Sequence, residues 1–195
     1  MNLPNKISMI RIIMIPIIML FISPVLSFMP DWYNNFIQGI GSYIGVILFL
    51  IAAITDFLDG YIARKNNLVT KLGKFLDPIA DKLLVISALV ILVQTQEINF
   101  WLVIIIIARE IIVMGIRIIA ASEGKVIAAS VWGKIKTVLQ ISAVTSYLIS
   151  HITPYLFFKV LDLYLISDIL ITLAVVVTII SGYDYVKKNI QIIKQ

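Results

Sequence analysis

Six apolar stretches succeed one another along the chain, at residues 11–28, 36–63, 78–94, 100–121, 131–153 and 161–186, most of them near the ~20 residues that a helix needs to cross a bilayer. In a bilayer core no water satisfies the backbone N–H and C=O groups, so stretches of this kind become helices packed side by side. The fold class read from them is an all-α integral membrane protein of six transmembrane helices. Of the 195 residues 61% are hydrophobic and 14% charged, against roughly 25% charged in soluble domains, which excludes a water-soluble globule. The first stretch is too long for the core of a cleavable signal peptide, follows a polar NLPNKIS segment and lacks a small-residue cleavage site, so it is read as helix one. The segment ending at Arg11 is expected to lie along the interface as a short amphipathic element before it. No linker, low-complexity tract or repeat divides the chain, and residues 1–195 are read as a single domain. With no cysteine, a disulfide framework, a thiolate metal site and a cysteine nucleophile are excluded.

The basic residues give the orientation. With the N-terminus in the cytoplasm, Lys6, Arg11, Arg64, Lys65, Lys71, Lys74, Lys82, Arg109, Arg117, Lys125, Lys134, Lys136, Lys187, Lys188 and Lys194 fall at or near that side, and only Lys159 of the 16 lies opposite. The positive-inside rule therefore predicts an N-in, C-in protein of the cell membrane. Anionic headgroups account for part of this charge, at roughly 1 kcal/mol per cation, and no nucleic-acid partner is expected. Trp32, Tyr33, Trp101, Tyr155 and Tyr164 cluster near the opposite boundary as an aromatic belt.

Against this apolar background residues 56–81, DFLDGYIARKNNLVTKLGKFLDPIAD, carry Asp56, Asp59, Asp77 and Asp81. A charged side chain at the membrane centre costs at least ~3 kcal/mol, and facing carboxylates repel, so bound cations resolve both difficulties. Asp56 and Asp59 are three apart and Asp77 and Asp81 four apart, which puts each pair on one helical face. The second stretch, 28 residues or ~42 Å as one helix, is longer than the hydrocarbon core, so its acidic end reaches the cytoplasmic interface. The third is expected to begin at Pro78, where a helix needs no amide donor. Hard oxygen donors without His or Cys suit Mg²⁺ or Mn²⁺. Two such ions would clamp a diphosphate in a phosphoryl-type transfer, which makes phosphate chemistry the leading class. Gly60 and Gly73 leave space for a substrate near the backbone, although glycines at such places also serve helix packing.

The segment resembles the CDP-alcohol phosphotransferase signature D-x2-D-G-x2-A-R-x8-G-x3-D-x3-D at every defined position: Asp56, Asp59, Gly60, Ala63, Arg64, Gly73, Asp77 and Asp81. The resemblance implies a six-helix membrane enzyme, usually a homodimer, that moves a substituted phosphate from a CDP-linked donor to an alcohol and releases CMP. It further implies that Asp56, Asp59 and Asp77 hold one metal, that Asp56, Asp77 and Asp81 hold the other, and that Asp81 is the base for the acceptor hydroxyl. Gly60, Ala63, Arg64 and Gly73 would contact the cytidine diphosphate, with Asn5 of the N-terminal segment a further candidate, although Pro4-Asn5 is also an ordinary helix-cap signal.

The acceptor is read elsewhere. Arg109, Arg117, Lys134 and Lys136 lie in or beside the fourth and fifth stretches; Glu110 can pair with one of them, leaving three for a phosphate-bearing acceptor, unless they snorkel to the interface. The stretches NLPNKISMIRI, ARE, GKIKT and SGYDY resemble the members of the family that use CDP-diacylglycerol and glycerol-3-phosphate, with Ser8 where a threonine is usual. Inositol phosphate and phosphatidylglycerol are the alternative acceptors. A divalent-cation transporter is the alternative from another class, but it needs acids spread through the membrane depth, whereas these four cluster at one face. His151 and Asp168 carry no assignment, and Asp184 is read either as orienting a basic acceptor-site residue or as an interface anchor.

Overall fold

The computed structural model of the chain describes residues 3–23, 29–65, 71–122, 127, 130–152 and 163–190, with side chains described over 9–23, 29–55, 79–80, 82–122, 127, 130–150 and 163–190. Among these residues all regular structure is helical. Helix α1 spans Leu3–Ile22. A short α2, Asp31–Phe36, runs through a π turn at Ile37–Gly41 into α3, Ser42–Lys65; α4 (Lys71–Gln94), α5 (Phe100–Ser122), α6 (Val131–Ile152) and α7 (Leu163–Lys188) follow. The six long helices correspond in order to the six apolar stretches.

Three boundaries differ from those the sequence predicts. The N-terminal segment is not a separate element: α1 is continuous from Leu3, with Pro4 in its first turn, where a missing N–H costs nothing, and Arg11 is buried within it, 6% exposed. The second stretch is not one straight helix, because Gly39 has non-helical dihedrals (φ −98, ψ −115) and sets α2 off from α3, which is then ~36 Å long. Helix α4 starts at Lys71 rather than at Pro78, so the proline lies inside it. Helices in lipid accommodate interior prolines because neighbouring groups satisfy the freed carbonyl. The consequence for function is that Gly73, Asp77 and Asp81 all lie on one helix.

The most extensive helix contact is between α6 and α7, which run antiparallel; α1 lies against α4 and α3, α5 against α7, and α4 also touches α5 and α6. Gly45 allows the α1 approach, since a Cβ there would stand 2.8 Å from Ile22 Cγ1 and 3.0 Å from the Phe21 carbonyl carbon. Phe49, Leu89, Leu92, Ile106, Tyr147 and Ile171 fill the middle of the bundle. The outward faces are also apolar: Ile47, Ile51 and Ile54 on α3, Ile104, Ile111 and Ile118 on α5, and Leu165, Ile169 and Leu173 on α7 are all exposed. Contiguous apolar area of this kind is rare on a surface that faces water.

Two helical runs among the described residues are long and apolar enough to cross a membrane, Asp31–Thr55 and Leu163–Lys188; Met9–Ile22 and Lys82–Gln94 are shorter apolar runs. Helices α5 and α6 are interrupted by Arg109, Glu110, Arg117, Lys134 and Lys136, the groups around which the candidate site is built.

Candidate functional site

Glu110 sits midway along α5 and is 5% exposed. Its Oε2 accepts from Lys82 Nζ of α4, and its Oε1 accepts from Lys136 Nζ of α6 and from Arg109 Nη1 at 3.1 Å. Three helices thus send a cation to one carboxylate. Burial of this kind is costly unless charges are paired and hydrogen-bonded, and the side chains of Lys82, Arg109, Glu110 and Lys136 are 24%, 11%, 6% and 4% exposed. Among the described residues the pairing is incomplete: three cations against one carboxylate leave a surplus of two positive charges. This corrects the expectation that Glu110 would neutralise one cation among Arg109, Arg117, Lys134 and Lys136. It grips two of those four and adds Lys82, because only the folded bundle brings α4 to its other oxygen.

Arg109 continues toward α7. Its Nη2 donates to Ser181 Oγ at 3.0 Å, and Ser181 in turn donates to the Thr178 carbonyl at 3.1 Å. Gly182 makes room for it, since a Cβ there would meet Arg109 Cγ at 3.0 Å. Its Nε is buried with no hydrogen-bond partner among the described residues. Arg117, two turns further on, donates from Nε to Tyr185 OH at 3.2 Å. Lys134 is exposed and joins no ion pair among the described residues.

Of the residues expected at the metal and nucleotide, Asp56, Asp59, Gly60, Ala63 and Arg64 lie on the last three turns of α3; Gly73, Asp77 and Asp81 lie on the first half of α4, and Asn5 on the first turn of α1. Their side chains lie outside the described ones. Both acidic pairs keep their helical spacing, which presents each pair on one face. Lys82 follows Asp81 directly, so along α4 the Glu110 cluster begins ~1.5 Å of helix rise from the last aspartate. Among the described residues no three His, Asp or Glu side chains form a metal cluster.

Sequence reasoning missed Lys82, which it counted only as a topological charge, and the roles of Ser181, Gly182 and Tyr185, which it quoted only within the SGYDY stretch. Helical spacing held the signal, since Ser181 and Tyr185 are four apart on one face of α7. Asp184 does not orient an acceptor-site cation: it pairs with Lys188 at 2.8 Å on the exposed side of α7. Asp168 accepts from Tyr147 and so pairs α6 with α7.

A CDP-alcohol phosphatidyltransferase family model matches residues 1–180. The CDP-diacylglycerol–glycerol-3-phosphate 3-phosphatidyltransferase of Bacillus subtilis (strain 168) is 45% identical over 198 residues, covering 99% of this chain and 97% of the relative. The protein of the same name from Rickettsia bellii is 38% identical over 186 residues, covering 95% and 94%. A probable phosphatidylglycerophosphate synthase of Mycobacterium tuberculosis (strain ATCC 25618 / H37Rv) is 30% identical over 190 residues, covering 97% and 82%.

Proposed function

The chain belongs to the CDP-alcohol phosphatidyltransferase family, and from that premise we propose that it transfers the phosphatidyl group of CDP-diacylglycerol to glycerol-3-phosphate, giving phosphatidylglycerophosphate and CMP. The observation that carries the acceptor assignment is the buried Lys82–Arg109–Glu110–Lys136 cluster, whose surplus of two positive charges begins one residue beyond Asp81. A phosphate monoester bears −1.5 to −2 at neutral pH and three acceptor oxygens, so it complements that surplus through charge-assisted hydrogen bonds. Arg109, Arg117, Lys134 and Lys136 are the groups assigned to the acceptor phosphate. Serine, choline and ethanolamine offer no such anion.

In the transfer an oxygen of the glycerol hydroxyl attacks the phosphorus that carries the diacylglycerol. The bond from that phosphorus to the bridging oxygen breaks, CMP leaves with the electron pair, and the hydroxyl proton passes to Asp81. Asn5, Gly60, Ala63, Arg64 and Gly73 are assigned to the cytidine diphosphate, with the planar fork of Arg64 on a phosphate. The donor set fits a divalent pair: four carboxylates with hard oxygens, two on α3 and two on α4, each pair at helical spacing. Asp56, Asp59 and Asp77 would hold one Mg²⁺ or Mn²⁺ and Asp56, Asp77 and Asp81 the other, and ions bound there neutralise the diphosphate and the developing charge on the leaving phosphate.

The same reading places the protein in the cell membrane with six crossings, both termini and the active site on the cytoplasmic side, and a homodimer as the assembly. The apolar outward faces of α3, α5 and α7 support lipid contact, and a bundle within lipid admits the donor's acyl chains laterally. The test is CMP release by purified protein from CDP-diacylglycerol and Mg²⁺, with glycerol-3-phosphate, inositol phosphate, serine and phosphatidylglycerol offered in parallel, beside an Asp81→Asn control. Release with glycerol-3-phosphate that falls ~10³-fold in the control supports the assignment. Release with another acceptor overturns the acceptor, and no metal-dependent release with any of them overturns the donor.

A further inference from the structure

Each arginine of α5 finds a hydrogen-bond partner on α7. Arg109 uses Nη2 toward Ser181 and Arg117 uses Nε toward Tyr185, whose ring centroid lies 5.7 Å from the Arg117 guanidinium carbon. Ser181 is fully buried and Tyr185 is 3% exposed, so water does not displace either contact. The arginines are eight residues apart, ~12 Å of rise on α5, whereas their partners are four apart, ~6 Å on α7. Helical side chains lean toward the N-terminal end of their helix, and 109 to 117 pairs with 181 to 185 in the same direction, so α7 draws the two guanidinium groups toward each other. Arg117 uses its Nε for this contact, and among the described residues its Nη edge is left for an anion. Gly182 stands between the two hydroxyls and leaves the space that the Arg109 stem occupies.

The geometry points to Ser181 and Tyr185 as positioning residues for the acceptor: their hydroxyls hold Arg109 and Arg117 against α7 in the orientation that receives the phosphate of glycerol-3-phosphate. Neither touches the reacting atoms, and both act through the arginines. The inference rests on the function proposed above and deepens its acceptor site. A structural role alone would move stability, whereas a positioning role moves the KM for one substrate.

The experiment is steady-state CMP release by the full chain in lipid nanodiscs, with either substrate varied while the other is saturating. Tyr185→Phe keeps the ring and removes only the hydroxyl. It is expected to raise the KM for glycerol-3-phosphate roughly tenfold while kcat and the KM for CDP-diacylglycerol stay within about twofold. In an Arg117→Lys background, which has no Nε–H, adding Tyr185→Phe changes the KM no further. Ser181→Ala gives the same selective loss and reads the role again should the Tyr185 substitution harm the fold. An unchanged KM, a loss confined to kcat, or additive effects of the Arg117 and Tyr185 substitutions overturns the inference while the proposed function stands. No turnover of glycerol-3-phosphate by the unsubstituted chain overturns that function and this inference with it.

Discussion

Helices α6 and α7 are joined by polar groups at two levels, and the two levels differ in the sign and the burial of the charge they carry. Toward the start of α7, the buried Tyr147 hydroxyl donates to Asp168, and the Ser146 and Ser167 hydroxyls meet at 2.8 Å. The carboxylate of Asp168, an exposed residue, accepts from a neutral phenol there and the two serines form a separate pair, with no cation among these four side chains. Near the other end, Lys136 reaches from α6 to Glu110 while Arg109 reaches from α5 to Ser181 of α7, and among the described residues two positive charges are left over. The first arrangement is a clamp between helices. The second carries a buried positive surplus, which an acceptor phosphate would neutralise under the function proposed above.

Glu110→Gln is expected to break this difference most severely, because it leaves three cations facing a neutral amide. Unfolding should become easier by about 3–5 kcal/mol, read as a lowered thermal midpoint, and turnover should be lost with it. Lys136→Met removes one buried cation and keeps the length of the side chain. Its expected result is a rise of roughly a hundredfold in the KM for glycerol-3-phosphate at unchanged KM for CDP-diacylglycerol.

Lys82→Met tests the contribution that only the folded structure revealed. Lys82 is more exposed than Lys136, so a smaller rise of about tenfold in the same KM is expected; a fall in kcat alone would place Lys82 with Asp81 rather than with the acceptor. Tyr147→Phe is the control from the other level: it should cost ~1 kcal/mol of stability for one lost hydrogen bond and leave both KM values as they were. A KM change in that variant would mean that the two levels are coupled and that the comparison is wrongly drawn.

Much of this was legible along the chain. Apolar runs near the length of a bilayer crossing become helices wherever backbone groups need partners within the segment, and the aspartate spacing survives intact on α3 and α4. The basic residues of α5 and α6 were also legible as groups that need a partner, since charge in an apolar helix does not stay unpaired. What depended on three dimensions was the division of labour among them. Glu110 has two oxygens, and whether they meet one cation or three depends on how α4, α5 and α6 cross, which no spacing within one helix reveals. Similarly, Tyr185 looked like a neighbour of Asp184, yet a 100° step around α7 turns one inward to Arg117 and leaves the other outside with Lys188. The start of α4 was misplaced because Pro78 reads as a first-turn residue, while a helix within a bundle tolerates it inside.

The central claim is that the surplus charge at Glu110 recognises a phosphate on the acceptor. Its most direct test is CMP release from CDP-diacylglycerol with glycerol-3-phosphate and with glycerol compared side by side, since these acceptors share the attacking hydroxyl and differ only in the phosphate. The account expects kcat/KM to be at least ~10³-fold higher for glycerol-3-phosphate, the difference that two or three charge-assisted hydrogen bonds supply. Similar values for the two acceptors would contradict it, because the cluster on α4, α5 and α6 would then be holding helices together and nothing more.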